Sequence, residues 1–167
     1  PVRVAQNLAK LKTVVPKGLI DDRVIMAALM HDVMEDCYID DAETRKVNED
    51  DLRSWGYDEE TIAMVKGVTN EDSASFVYEE KIQKLIDSGN VGAMLVKLAD
   101  NMDNSHPIRA ASYAKINPEK GAVLQARYKA SIISISGALG INPDDVFDFI
   151  ENHYQDLDNN ALQPIAA

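Results

Sequence analysis

Val24-Ile25-Met26-Ala27-Ala28-Leu29-Met30 runs straight into His31-Asp32-Val33-Met34-Glu35-Asp36-Cys37. The apolar run covers every side of a helix, which predicts a buried helix over 21–36. Asp21 or Asp22 is the expected cap at its start. A buried helix that ends in one imidazole and three carboxylates carries a large desolvation penalty unless something neutralises it. A divalent cation does so with few groups. At roughly 100° per residue His31 and Glu35 stand one turn apart, as do Asp32 and Asp36. His31 and Asp32 can then share one ion, while Glu35 and Asp36 hold or deprotonate a water beside it. The plainer alternative is a solvated acidic turn with His31 as a satisfied core histidine.

A second constellation points the same way. Ala93-Met94-Leu95-Val96-Lys97-Leu98-Ala99-Asp100-Asn101-Met102-Asp103-Asn104 is a mostly apolar helical stretch interrupted by polar residues. Lys97, Asp100 and Asn104 fall on one stripe, at i, i+3 and i+7. An Asp on an apolar helix is usually an ion-pair partner. Asp100 can instead complete a metal site begun by His31 and Asp32.

These segments resemble the HD-domain metal-dependent phosphohydrolases, and more narrowly the hydrolase domain of the RelA/SpoT alarmone enzymes and their small single-domain relatives. HDVMEDC (31–37) resembles that group's HDVVEDT, Val65 to Asn70 its VEGVTK, and Val96 to Asn104 its IKLADRLHN. Tyr78 to Asn90 resembles the helix before that last motif, and Pro1 to Ala5 the HPxxVA segment of the first. The resemblance covers most of residues 1–140, in order. It implies His31, Asp32 and Asp100 as metal ligands, Glu35 and Asp36 as the acidic pair that activates water, and Asn104 as a nucleotide contact. A site of imidazole and carboxylate oxygens suits Mn²⁺. The fourth ligand, a histidine, would immediately precede Pro1. The chain begins with Pro and not Met, so an upstream segment is expected.

The implied activity is hydrolysis of guanosine 3′,5′-bis(diphosphate) at its 3′-pyrophosphate. Alternatives are a phosphatase for another nucleotide, such as a deoxynucleotide or a 2′-phosphorylated dinucleotide, or a degenerate module that binds without turnover. The family's Arg after LAD is Asn101 here, and Ser105-His106-Pro107 replaces the usual segment after the motif asparagine. These departures imply a weaker hold on guanine. His106 reads as a helix-end histidine.

Composition bounds these readings. The chain has 167 residues, 46% of them hydrophobic, enough for one domain with a real core. No apolar run is long enough to span a membrane. The single cysteine, Cys37, reads as a small buried residue and fits a reducing, cytoplasmic setting. A net charge of −11 argues against nucleic acid, which needs a broad basic footprint. A small nucleotide remains compatible, because a metal and a few cations focus positive potential locally. Lys97, Arg3 and Lys81 are the candidate cations, each otherwise a surface ion-pair partner.

The expected architecture is a single all-α bundle over 1–157, with a loose tail over 158–167. Helices are expected over 2–12, 49–55, 58–67, 76–88, 90–104 and 118–139, the last closed by Gly140. A further helix follows Asn142-Pro143. Residues 37–48 read as a polar loop near the site, and Pro107 as a turn.

Overall fold

The computed structural model describes residues 1–39, 44–70 and 77–153, and the chain is all-α. The expected tail over 158–167 lies outside the described residues. The helices are α1 (Val2–Leu11), α2 (Asp22–Met30), α3 (Val33–Asp36), α4 (Glu49–Ser54), α5 (Glu59–Val68), α6 (Tyr78–Asp87), α7 (Val91–Asn104), α8 (Pro107–Ile116), α9 (Pro118–Leu139) and α10 (Pro143–His153). Caps set most of the starts. Asp21 accepts from the Val24 N–H, Asp58 from Thr61 and Asn90 from Ala93. Gly140 closes α9 in the left-handed region, at φ 69°.

α7 is the axis of the bundle. Ala93, Leu95, Val96, Leu98, Ala99 and Met102 are all fully buried on it. It packs against α1, α2, α5 and α9. The stretch carrying Lys97, Asp100 and Asn104 is therefore held from several sides. Gly67 lets α5 come close, because an added Cβ there would stand 3.1 Å from the Ala93 Cβ. That approach sets where the chain leaves α5, at Thr69 and Asn70. Among the described residues no helix is long and apolar enough to cross a membrane.

Four expectations are corrected. The helix over 21–36 is interrupted at His31-Asp32, which separate α2 from α3. The His31 ring takes the Ala28 carbonyl, the acceptor that an unbroken helix would offer to the Asp32 N–H. Nor is α2 buried all round. Val24, Ala27 and Ala28 are buried, but Met26 and Leu29 are 40% and 38% exposed, since α2 is covered by α1, α5 and α7 on one side only. The loop over 37–48 contains a short antiparallel ribbon, β1 (Tyr38–Ile39) with β2 (Arg45–Lys46), anchored by buried Val47; residues 40–43 of that loop are outside the described set.

The segment after Pro107 is the fourth correction. It is a helix, α8, and Pro107 is its first residue, where a missing N–H has no consequence. None of its residues is buried, so it has no apolar stripe by which the sequence could announce it.

Candidate active site

A cleft of about 710 Å³ opens where α1, α2, α7 and α9 meet. Its lining holds His31, Asp32, Glu35, Lys97, Asp100 and Asn104. Interrupting the helix at His31-Asp32 does not scatter these groups, because α7 supplies the other half from across the bundle.

His31 is the central group. Its Nδ1 lies 2.8 Å from the Ala28 carbonyl oxygen, which fixes the proton on Nδ1. Nε2 then points at two carboxylates, 3.0 Å from Asp32 Oδ2 and 3.8 Å from Asp100 Oδ1. In the neutral ring this places a nitrogen lone pair against acceptor oxygens. The arrangement is stable only with a proton or a cation between them. Burial alone would lower the His31 pKa, but Asp32 and Asp100 outweigh it and raise the value above its ordinary range. The hydrogen bond with His31 lowers that of Asp32.

Asp100 is oriented from both sides. Oδ2 accepts from Lys97 Nζ at 2.8 Å, and Oδ1 from Asn104 Nδ2 at 2.8 Å. Lys97 is buried; burial works against its charge, yet the charge and hydrogen bond of Asp100, with the ionisable Tyr78 hydroxyl, hold its pKa up at about 12. The stripe read from the sequence is thus one hydrogen-bonded unit centred on Asp100. Asn104 supports that carboxylate and also lines the cleft.

The two members of the acidic pair part company. Glu35 lines the cleft, and its carboxylate accepts from the backbone N–H of Asn70 and from Asn70 Nδ2, the latter at 2.8 Å. Asn70 is held in turn by Lys81, whose Nζ donates to Asn70 Oδ1 and to the Val68 carbonyl. Asp36 is exposed and does not line the cleft, although its N–H bonds the Asp32 carbonyl one turn back. Cys37 is likewise exposed and not the small buried residue expected.

Residues to which the motifs gave no role also line the cleft, among them Asn70, Tyr78, Asp103, Arg109, Arg127 and Tyr128. Asp103 is buried and receives Arg3 Nε at 2.8 Å together with Arg109. Burial works against its ionisation, but the two guanidiniums prevail and keep its pKa below the ordinary value. Its signal was available, an acid three residues past Asp100 on an apolar helix. Arg109 was hidden in the unannounced α8. Arg127 and Tyr128 lie on α9, where nothing in the local pattern marks them.

Asn101, where the family motif carries Arg, has no exposure at all. It accepts from the Tyr78 hydroxyl at 2.7 Å and donates to Ser131 Oγ at 2.6 Å. It therefore holds Tyr78 rather than a ligand. His106 is buried and caps α8, its Nδ1 accepting from the Ile108 N–H at 3.1 Å.

His31, Asp32 and Asp100 have the donor chemistry to hold a divalent cation, on the evidence of the opposed lone pairs. Asp100 stands back from the other two. Among the described residues no group of three His, Cys, Asp or Glu side chains is close enough to enclose a metal as they stand. No family model, curated protein or solved structure matches the chain.

Proposed function

We propose that this chain is a metal-dependent nucleotide phosphohydrolase of the HD-domain kind, acting on guanosine 3′,5′-bis(diphosphate) and its relatives. The observation that supports this best is His31, tautomerically fixed by Ala28, with Nε2 facing Asp32 and Asp100 on the wall of a nucleotide-sized cleft. The charges of the lining agree. Among the described residues four carboxylates (Asp32, Glu35, Asp100, Asp103) are matched there by four cations (Arg3, Lys97, Arg109, Arg127), in a chain of net charge −11. The cleft is thus far less acidic than the molecule, and a cation would make it attractive to phosphate. The histidine that the resemblance implies as a further ligand would precede Pro1, and Pro1 itself lines the cleft.

His31, Asp32 and Asp100 would hold the metal, with Mn²⁺ the first choice for such donors. The chemistry a divalent cation supplies at such a site is polarisation of a phosphoryl oxygen and acidification of water. The chain's own part is positioning and proton transfer. Lys97 and Asn104 keep Asp100 in place, and Asn70 keeps Glu35 in place. Glu35 accepts the proton of the attacking water. A P–O bond forms, the bond from phosphorus to the ribose 3′-oxygen breaks, and that oxygen leaves with a proton as pyrophosphate is released. Asp36, exposed, takes no part in this step.

The test is a hydrolysis screen with Mn²⁺ over a nucleotide panel that includes guanosine 3′,5′-bis(diphosphate), deoxynucleoside triphosphates and a 2′-phosphorylated dinucleotide. Activity is expected to vanish on chelation and to return with Mn²⁺ better than with Mg²⁺. Full activity after exhaustive chelation would overturn the reading. Binding of a nucleotide without turnover of any would favour a non-catalytic module.

A further inference from the structure

We propose that Lys81 is a positioning residue: acting through the Asn70 side chain, it holds the Glu35 carboxylate in place on the cleft wall, and turnover depends on it although it touches no substrate. That Glu35 takes a proton from water rests on the phosphohydrolase reading; the link from Lys81 to Glu35 rests on the hydrogen bonds alone.

Lys81 lies on α6 and does not line the cleft, whereas Glu35 and Asn70 do. Its ammonium donates to Asn70 Oδ1 and to the carbonyl of Val68, the last residue of α5. Asn70 in turn gives Glu35 two hydrogen bonds, one from its backbone N–H and one, at 2.8 Å, from Nδ2. Donors and acceptors alternate along the path from ammonium through amide to carboxylate, so each bond polarises the next.

The order of the groups decides what the link can do. An ammonium has donors only, so of the two ends of the amide it can bond Oδ1 alone. Nδ2 is thereby turned to Glu35. The reversed amide would set Oδ1 against a carboxylate and Nδ2 against a cation. Asn70 also stands just beyond α5, past the capping residue Thr69. By bonding both Val68 and Asn70, Lys81 ties this first segment outside the helix back to the helix end. A neutral amide stands between Lys81 and Glu35, so the cation orients the carboxylate without pairing with it directly. A carboxylate held in this way keeps its negative charge for a proton. Position is the quantity at stake, since a displacement of about 1 Å in a reacting group costs about 10²-fold in rate.

Hydrolysis of guanosine 3′,5′-bis(diphosphate) with Mn²⁺, or of whichever nucleotide of the panel is turned over, tests this in two backgrounds. In the native chain Lys81→Met should lower kcat by about 10- to 100-fold, with KM and Mn²⁺ affinity unchanged, and Lys81→Arg should restore part of the loss. In the Glu35→Gln chain Lys81→Met should lower kcat no further, because no carboxylate remains to be positioned. A Lys81 that served only to cap α5 would cost the same in both backgrounds. That result, or native kcat in Lys81→Met, would overturn the proposal. If Lys81→Met does not fold, Asn70→Ala cuts the link at its middle and is read in the same two backgrounds. Should the native chain hydrolyse no nucleotide, the phosphohydrolase reading falls, and the link is read by NMR from the side-chain amide signals of Asn70. Glu35→Gln should shift them in the native chain and much less in Lys81→Met, which would leave the link standing. Equal shifts in both would overturn it.

Discussion

Two clusters of charge in this molecule are built from the same side chains and behave differently. Around α4 and α5, Arg53 meets Asp50 at 2.7 Å and Glu59 at 2.6 Å, Arg45 meets Asp51 at 2.6 Å, and Arg23 meets Asp58 at 2.7 Å and Glu60 at 2.8 Å. In the cleft the same kinds of contact form, but His31, Lys97 and Asp103 are buried. In the outer cluster each guanidinium has a close carboxylate and the charges are wet. The inner one leaves a nitrogen facing two carboxylates, two guanidiniums on one acid, and a guanidinium whose Nε finds no hydrogen-bond acceptor among the described residues. What marks a site is therefore burial together with unmet or opposed partners, and not the number of ion pairs.

The sharpest way to break this comparison is to separate the acids of the cleft. Asp32→Ala should lose bound metal and hydrolysis together. Glu35→Gln should keep the metal and lower kcat by about 10²–10⁴, the range for a positioned proton acceptor. Metal analysis beside single-turnover rates distinguishes them. Normal turnover by the Glu35 variant would remove its proposed role.

A smaller effect is expected from the residue that orients an acid. Asn104 donates to Asp100 Oδ1, so Asn104→Ala should weaken metal affinity by about 10- to 100-fold, as loss of an outer partner does. Titration with Mn²⁺ reads this directly. Unchanged metal affinity with a raised KM would return Asn104 to the substrate-contact role that its motif implies.

Asp103 tests burial by stability. Its pKa is lowered in the folded chain by Arg3 and Arg109, whose side chains are 55% and 47% exposed. A depressed carboxylate pKa stabilises above the unfolded value, about 3.9, and that contribution is lost as pH falls below it. Asp103→Asn should destabilise by about 1–2 kcal/mol at neutral pH, less than a fully buried pair because both partners are half-solvated. The gap between native and variant in denaturant titrations should be flat above about pH 5 and close below pH 4. A gap independent of pH would mean that Asp103 acts by packing alone.

The sequence carries the inner cluster unevenly. Lys97, Asp100 and Asn104 were legible because they lie on one uninterrupted helix, where spacing converts directly to a shared face. His31 and Asp32 were legible as a polar end to an apolar run. The placement of Asp36 was not: it stays one helical turn from Asp32, its N–H on the Asp32 carbonyl, yet lies exposed outside the cleft. Arg109, Arg127 and Tyr78 reach the cleft through long-range packing of α6, α8 and α9, which no local pattern encodes. Asn101 looked like a changed ligand contact and is a buried tie between Tyr78 and Ser131.

The outer cluster gives the smallest expected effect, and its smallness is the point. Arg53→Gln removes contacts to Glu49, Asp50 and Glu59 at once, yet the Arg53 side chain is 41% exposed and those of Asp50 and Glu59 are 88% and 70% exposed. Water solvates each charge when its partner goes, and holding long side chains together already forfeits entropy. The melting temperature should therefore barely move. Whatever shift exists should fade as salt rises from low to molar concentration, where the screening length falls to about 3 Å. Asp103→Asn should keep its effect under the same salt series, because the acid is almost shielded from solvent, at 5% side-chain exposure. Equal salt sensitivity in the two variants would mean that the inner pair is as solvated as the outer, and the contrast between the clusters would fail.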